Sequence, residues 1–335
     1  MKKTRALITT ALILTWLLPI ALKAEDQQPA NPPDWWKDSM VNLDQRMKWW
    51  EDSRFGLFMH WGAYSVLGGE YNGQKQVGAY AEHIATKYKI PKKDYIEQAA
   101  GKFRPEKFDA DEWVRLAKNA GMKFIVITAK HHDGFCIYDS KYTDFDVKDT
   151  AKWDRDPLKE LAAACKKYGL HFGVYYSHAQ DWYDPDNVVN NWDYNNPNKK
   201  DWYLQDTPYA ALHKKMMQNY VNRKAIPQVK ELINDYGVEM FWFDTAVWMP
   251  MDLRVQVLKA AREAKPDVIV NQRVAGGEDG NYGDYIGGPD IPMVFSPHKE
   301  RYWEAIQSTD SHSWGYNKFD DQIRRSPSYM LRMLV

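Results

Sequence analysis

Short apolar runs alternate with amphipathic stretches along most of this chain of 335 residues. Over residues 109–120 the apolar positions recur at spacings of three and four, which predicts a helix, and Gly121 marks its end. The run that follows, residues 123–129, is rich in β-branched side chains and predicts a strand. The alternation then repeats, and the predicted strands cover residues 55–61, 123–129, 170–177, 238–244 and 268–271.

These predicted strands are apolar on both faces, and a helical stretch precedes each one after the first. Strands of this kind, joined through helices, form parallel sheets that helices cover. Five in succession, with polar residues at their C-terminal ends, predict an α/β fold built as a (β/α)8-like TIM barrel. A doubly wound sheet is the alternative, although the chain shows no glycine-rich phosphate-binding loop.

The N-terminus has the layout of a secretory signal peptide. Lys2, Lys3 and Arg5 precede an apolar run over residues 6–22, and Ala24 offers a small residue for cleavage. An uncleaved membrane anchor is the alternative. We therefore predict a signal peptide over residues 1–24, a linker over 25–38 and a barrel domain over 39–335. The protein is expected to be periplasmic or secreted and, after cleavage, not bound to a membrane.

The composition narrows the choice of partners. Basic and acidic residues both number 45, so no basic surface is expected for nucleic acid. Aromatic residues make up 14% of the chain, and their flat faces suit sugar rings as well as a large core. With only Cys136 and Cys165, no disulfide framework is possible, and we expect two buried thiols.

Residues that carry chemistry cluster at the C-terminal ends of the predicted strands. In a barrel these ends meet at one rim, where the active site lies. Along the chain they are His60 and Trp61, His131 and His132, Tyr175 and Tyr176, Trp242 and Asp244, and Arg273. Asp244 follows an apolar run, so its carboxylate is either functional or a structural acid that caps a helix or pairs with Arg273.

The adjacent histidines allow two interpretations. His131 and His132 could bind a metal ion, or they could bind the hydroxyl groups of a sugar. The sequence around them lacks the ligand spacings of zinc sites, which favours the sugar.

Six sequence motifs resemble those of the α-L-fucosidases of glycoside hydrolase family 29. They are residues 54–65 (RFGLFMHWGAYS), 128–135 (TAKHHDGF), 173–177 (GVYYS), 242–244 (WFD), 271–273 (NQR) and 313–316 (SWGY). The resemblance runs in order from about residue 38 to the C-terminus. It implies a nucleophile at Asp244 and a fucose ring held by His60, His131, His132, Tyr176, Trp242 and Arg273. It also implies that Glu82 contacts the sugar and that no metal or organic cofactor is needed. We add Trp61, beside His60, to the substrate-binding residues.

Three features depart from the family pattern. Glu82-His83 replaces a Glu-Trp pair. The loop that carries the acid/base in the family has Asp290 in place of a glutamate, and Glu304, Glu82 and Glu278 are rival candidates. The chain also stops before the last barrel strand or strands and the β-sandwich domain of the family, so we expect a truncated barrel.

The expected function is that of a retaining exo-α-L-fucosidase, which forms a covalent fucosyl-enzyme on Asp244. The expected partner is a fucosylated oligosaccharide or glycoconjugate, and the oligomeric state is not predicted. One alternative is a non-catalytic fucose-binding protein derived from such an enzyme. The other is a metal-dependent hydrolase that uses His131 and His132.

Overall fold

The computed structural model describes residues 29–187, 189–194, 208–276, 281–288, 302–310 and 312–319, together with 325, 326 and 328. The predicted signal peptide lies outside these residues, as do positions 25–28 of the predicted linker. Residues 34–38 of that linker belong to a helix, whose Trp36 is buried and donates its Nε1–H to the carbonyl of Tyr282 at 2.9 Å.

Helices surround the sheet, and the helix predicted over residues 109–120 is one of them. They are α1 (Asp34–Met40), α2 (Leu43–Ser53), α3 (Tyr64–Leu67), α4 (Ile84–Lys87), α5 (Lys92–Gln98), α6 (Ala110–Asn119), α7 (Pro157–Tyr168), α8 (Pro208–Tyr220), α9 (Ile226–Tyr236) and α10 (Met251–Ala264). The Asp109 carboxylate accepts the backbone N–H of Glu112 and so caps α6. A π-helical turn, Val221–Ala225, joins α8 to α9. Among the described residues, none of the helices combines the length and the apolar character that crossing a bilayer requires.

A parallel sheet forms the centre of the fold. Its strands are β1 (Gly56–Met59), β4 (Phe124–Lys130), β5 (His171–Tyr176), β6 (Met240–Phe243) and β7 (Ile269–Val270), paired in that order. Every pair is parallel, as the sequence predicts. The five predicted strands lie side by side in the order in which they follow one another along the chain, whereas the strand order of a doubly wound sheet reverses part-way. A small antiparallel hairpin, β2 (Glu70–Tyr71) and β3 (Gln74–Lys75), follows β1 and α3.

Two short strands continue the same order beyond β7. A single bridge pairs Asn271 with Tyr285, and β8 (Ile286–Gly287) then pairs in parallel with β9 (Trp303–Glu304). Within the described parts of the chain, no strand joins β9 to β1.

Two apolar clusters pack on opposite faces of the sheet. The larger one lies between the sheet and the helices. The other, which we call the interior cluster, fills the curl of the sheet and consists of Met47, Val126, Tyr175, Met240, Trp242, Ile269, Tyr285 and Ile306. Met47 comes from α2, whose Trp49 stacks on His171 at the start of β5 at 3.9 Å, so α2 closes the N-terminal end of the barrel. Cys136 and Cys165 are both buried and unpaired, which confirms the predicted thiols.

Candidate active site

Asp244 lies at the C-terminal end of β6, where three donors hold its carboxylate. Oδ1 accepts one hydrogen bond from Arg273 Nη1 at 2.8 Å and another from the backbone N–H of Thr245 at 2.8 Å. Oδ2 accepts the Tyr175 hydroxyl at 2.9 Å. Burial alone would raise the pKa of Asp244, but the Arg273 guanidinium and the Tyr175 hydrogen bond outweigh it and hold this pKa below its usual range. The group is therefore a carboxylate at neutral pH.

The residue after the carboxylate has an unusual backbone conformation. Thr245 has φ 51° and ψ 39°, in the left-handed region that β-branched residues rarely adopt. Thr245 precedes the 3₁₀ turn Ala246–Trp248, and its N–H is the one that bonds the Asp244 carboxylate. The conformation costs of order 1–2 kcal/mol, which the surrounding contacts must offset.

Three imidazoles surround the carboxylate, and all are neutral. Burial lowers the pKa of His60 and of His132 to about 3 and that of His131 well below its usual value. The His131 ring lies 5.4 Å from the His60 ring and 4.3 Å from the His132 ring, centre to centre. Uncharged imidazoles of this kind accept or donate hydrogen bonds without forming an ion pair with the Asp244 carboxylate.

The hydrogen bonds of His132 fix its tautomer. Ser177 donates its hydroxyl to the carbonyl of Gln180 at 2.9 Å, so His132 Nδ1, 2.6 Å from the same hydroxyl oxygen, carries the hydrogen. Nε2 is therefore the acceptor nitrogen, and it lies 3.6 Å from Asp244 Oδ2. This nitrogen is able to accept a hydrogen bond from a hydroxyl group of a ligand that reaches Asp244.

A stack of flat groups forms one wall of the pocket. The rings of His131 and Tyr175 are nearly parallel with centres 5.0 Å apart, and Tyr175 stacks in turn on Trp242 at 5.5 Å. The guanidinium of Arg273 lies over Trp242 at 4.7 Å. His60 and Trp314 lie alongside each other, at 5.7 Å. The pocket therefore combines one carboxylate with neutral hydrogen-bonding groups and aromatic faces, as sugar-binding sites do.

Comparison with known proteins identifies the family. The family model described as alpha-L-fucosidase matches residues 21–335. The chain belongs to the α-L-fucosidase family. It is 29% identical to the tissue α-L-fucosidase of Rattus norvegicus over 306 residues, which cover 85% of this chain and 58% of that one. It is also 29% identical to an α-L-fucosidase of Branchiostoma floridae over 319 residues, 90% of this chain and 64% of that one. The chain thus spans about three-fifths of the length of these curated relatives.

Solved α-L-fucosidases share the fold. The α-L-fucosidase AlfC of Lactobacillus casei, in complex with α-L-fucose, is 32% identical with a TM-score of 0.71, and 87% of each chain is covered. The α-L-fucosidase of Vibrio sp. strain EJY3 is 35% identical with a TM-score of 0.73, over 84% of this chain and 47% of that one. The sheet of this α-L-fucosidase family member therefore corresponds to those of the catalytic domains of solved fucosidases.

The carboxyl groups considered for the acid/base role lie in different environments. Burial raises the pKa of Glu304 to about 7, although a hydrogen bond from Trp242 Nε1 and the charge of Arg273 act against the rise. The Trp242 Nε1–H reaches Glu304 Oε1 at 2.6 Å. Asp290 and Glu278 lie outside the described residues.

Glu82 forms hydrogen bonds with the loop of residues 313–315. Its carboxylate accepts the backbone N–H groups of Gly315 and Trp314 at 2.8 and 3.3 Å and lies 3.1 Å from Ser313 Oγ. Burial raises its pKa, and His83 and the two backbone donors oppose that rise. Glu82 thus fixes the loop that carries Trp314 into the pocket.

Two predicted sugar-binding residues do not face the pocket. The Tyr176 side chain points to the opposite face of β5, where its hydroxyl donates to Gln228 Oε1 at 2.8 Å. Successive side chains on a strand alternate between faces, so Tyr175, and not Tyr176, reaches Asp244. Trp61 likewise turns into the helical layer, with its ring 5.1 Å from Phe103.

Tyr175 was predicted at the rim of the barrel, but the contact with the sugar was assigned to Tyr176. The pairing of β5 with β6 aligns Tyr175 with Trp242, so these two share a face. The doubled tyrosine was visible in the sequence, but which of the two faces inward depends on this register. For the metal alternative, no three His, Cys, Asp or Glu side chains form a candidate metal site in the described part of the chain.

Proposed function

We propose that this protein hydrolyses terminal α-L-fucosides with retention of configuration, with Asp244 as the nucleophile. The observation that carries the proposal is the Asp244 carboxylate itself, kept anionic by Arg273 and Tyr175 in a pocket of neutral imidazoles. The substrate class is supported by family membership and by the solved relative AlfC in complex with α-L-fucose.

The reaction proceeds in two displacements. Asp244 attacks the anomeric carbon while the glycosidic C–O bond breaks and an acid gives its proton to the leaving oxygen. Water then attacks the same carbon, the conjugate base takes the water proton, and the Asp244 carboxylate departs. Two inversions give net retention. Arg273 and Tyr175 stabilise the carboxylate as it leaves, and His132 Nε2 accepts a hydrogen bond from a sugar hydroxyl.

Glu304, Asp290 and Glu278 remain as candidates for the acid/base role. Glu304, with a pKa of about 7, is protonated often enough at neutral pH to act as an acid. Asp290 is the residue that the family resemblance assigns to this role. Glu82 is less suited, because its carboxylate is committed to the backbone of residues 314 and 315.

The nucleophile is tested with Asp244→Ala and 4-nitrophenyl α-L-fucopyranoside. We expect turnover to fall by about 10⁴-fold, because the first displacement needs the carboxylate. Added azide should restore release of nitrophenol and yield a fucosyl azide of the opposite anomeric configuration. Unchanged turnover in the variant would refute the nucleophile. Fucose binding without turnover in the unmutated protein would favour the binding-protein alternative, and loss of turnover on chelation would favour the metal-dependent one.

The acid/base is tested by comparing substrates with good and poor leaving groups. Nitrophenolate leaves without a proton, whereas the sugar of Fucα(1,6)GlcNAc requires one. The variant that removes the acid, Glu304→Gln or Asp290→Asn, should therefore lose activity by about 10²-fold or more with the disaccharide and by much less with the nitrophenyl substrate. A variant that loses the same factor with both substrates does not remove the acid.

We propose in addition that the protein is exported after cleavage of residues 1–24. The basic start, the apolar run and Ala24 support this. N-terminal sequencing of the mature protein from a periplasmic or culture-fluid fraction should begin at Glu25. An intact N-terminus in a membrane fraction would show an anchor instead.

A further inference from the structure

Backbone pairing on the β7 side of β6 ends before the strand reaches the nucleophile. On the other side, β5 pairs with β6 as far as Phe243, the residue before the nucleophile. On the β7 side the register ends at Phe241, opposite Val270, and a longer hydrogen bond of 3.4 Å from the Asn271 N–H to the Phe241 carbonyl follows. The N–H and the carbonyl of Phe243 therefore need other partners on this side.

The side chain of Asn271 supplies both partners. Its Oδ1 accepts the backbone N–H of Phe243 at 2.9 Å, and its Nδ2 donates to the backbone carbonyl of the same residue at 2.9 Å. A backbone N–H only donates and a carbonyl only accepts, so the orientation of the amide is fixed. Asn271 and Phe243 are both fully buried, so water does not compete for either hydrogen bond.

The backbone of Asn271 bonds elsewhere. Its carbonyl accepts the N–H of Val274 at 3.3 Å and begins the 3₁₀ turn Gln272–Val274. This turn brings Arg273 to Asp244, where its Nη1 donates to Oδ1 at 2.8 Å. A regular continuation of β7 would pair with the end of β6, but it would keep residue 273 in the sheet. The Asn271 side chain therefore allows the main chain to turn while the end of β6 stays paired.

The hydrogen bonds of Asn271 also fix the backbone that leads to the nucleophile. The Phe243 carbonyl belongs to the peptide group that joins Phe243 to Asp244, and this group is planar. Its hydrogen bond with Asn271 Nδ2 therefore holds the plane that contains the Asp244 Cα, while the bond to the Phe243 N–H holds the preceding peptide. One side chain thus joins the strand end that carries Asp244 to the start of the turn that carries Arg273.

We propose that Asn271 is a positioning residue for the proposed reaction. By joining the end of β6 to the turn at residues 272–274, its amide sets the position of the Asp244 carboxylate relative to the Arg273 guanidinium. It acts through these two residues and through Phe243, and we assign it no contact with the substrate. The kinetic consequence rests on the proposed function, whereas the structural consequence is independent of activity.

The test replaces Asn271 by alanine, which removes both partners of the Phe243 backbone. In a crystal structure, the distance between Arg273 Nη1 and Asp244 Oδ1 should lengthen beyond hydrogen-bond range, about 3.2 Å. The kcat for 4-nitrophenyl α-L-fucopyranoside should fall about 10²-fold, the loss that a misplacement of about 1 Å can cause. The acidic limb of kcat/KM against pH should move to higher pH, because burial raises the pKa of Asp244 and Arg273 then opposes that rise less.

Gln228→Ala is the matched control. Gln228 is also fully buried, and its Oε1 and Nε2 bond the hydroxyl groups of Tyr176 and Ser140 at 2.8 and 3.0 Å, on the helical side of the sheet. Its loss also leaves buried polar groups unpaired, so stability in urea should fall by a similar amount. The acidic limb and the distance between Arg273 and Asp244 should not change. Equal shifts of the acidic limb in the two variants would overturn the inference.

Asn271→Leu separates the hydrogen bonds from the volume of the side chain, and it serves as well if Asn271→Ala does not fold. Leucine branches at the same carbon as asparagine but bonds neither backbone group, so the same lengthening is expected. A distance from Arg273 Nη1 to Asp244 Oδ1 that stays near 2.8 Å in a folded variant would overturn the inference, whatever the activity. An unmutated protein without turnover would instead contradict the proposed function, and the distance would still decide the role of Asn271.

Discussion

Replacing Tyr175 by phenylalanine removes one oxygen atom from the pocket and leaves the ring in its stack. The lost hydroxyl is the donor to Asp244 Oδ2 at 2.9 Å. The ring contacts with His131 at 5.0 Å and Trp242 at 5.5 Å need no hydroxyl, so the wall of the pocket should persist. The same oxygen also lies 3.4 Å from His132 Nε2, so the change removes the hydrogen bond to Asp244 together with this longer contact.

The size of the effect follows from the environment of the carboxylate. The Asp244 side chain is 13% exposed, so solvent screens the interaction only weakly. A hydrogen bond to a charged group contributes about 1.5–3 kcal/mol. Since one pKa unit corresponds to about 1.4 kcal/mol, the loss of this hydrogen bond should raise the pKa of Asp244 by roughly one to two units. The acidic limb of kcat/KM against pH should move upward by that amount, and the plateau should fall about tenfold or more because the departing carboxylate loses a donor.

Tyr176→Phe is the matched control, one residue along the same strand. Its hydroxyl donates to Gln228 on the helical side, so its loss should cost about 0.5–1.5 kcal/mol of stability and leave the pH profile unchanged. Both variants are assayed with 4-nitrophenyl α-L-fucopyranoside from pH 3 to pH 8 and by urea unfolding. A shifted acidic limb in Tyr176→Phe with none in Tyr175→Phe would refute the assignment of the two faces.

Other predictions concern groups away from the nucleophile. Burial lowers the pKa of His178 from 6.5 to about 3. Because the unfolded state then binds the extra proton, the free energy of unfolding should fall as the pH drops from 6.5 towards 3, by up to about 1.4 kcal/mol per pH unit for this group. Urea unfolding at pH 7 and pH 5 should differ less in His178→Gln, and an equal difference would contradict the sign. Gly134→Ala would place a Cβ 2.0 Å from Asp181 Oδ1 at a φ of 81°, so we expect a loss of more than about 3 kcal/mol in urea unfolding, and a near-neutral result would contradict the close contact. Burial raises the pKa of Cys136 and Cys165 to about 12, so iodoacetamide at pH 8 should label neither thiol in the native protein and both in urea, as mass spectrometry can show.

The sequence was sufficient to predict the five strands of the parallel sheet and most of the functional residues at their C-terminal ends. Apolar periodicity located the five strands β1, β4, β5, β6 and β7, and their sequential parallel pairing is confirmed. It was less informative around residues 286 and 304, where β8 and β9 are only two residues long and carry no periodic signal. Residues 34–38 were assigned to a linker for a similar reason. The composition there is typical of a linker, and only the distant Tyr282 carbonyl shows that Trp36 is packed.

What the sequence determined by itself is the order of the five parallel strands and the chemistry available at their ends, since both follow from local periodicity and residue type. The tertiary structure alone decided which tyrosine of the pair reaches Asp244, that burial raises the pKa of Glu304, and that Gln180 contacts Thr245. Alternation along a strand tells which residues share a face but not which face is inside, and that choice depends on register with the neighbouring strands. The pKa values and the Gln180 contact depend on groups far apart in the chain, such as Gln180 and Thr245, whose numbers differ by 65 and which only folding brings together.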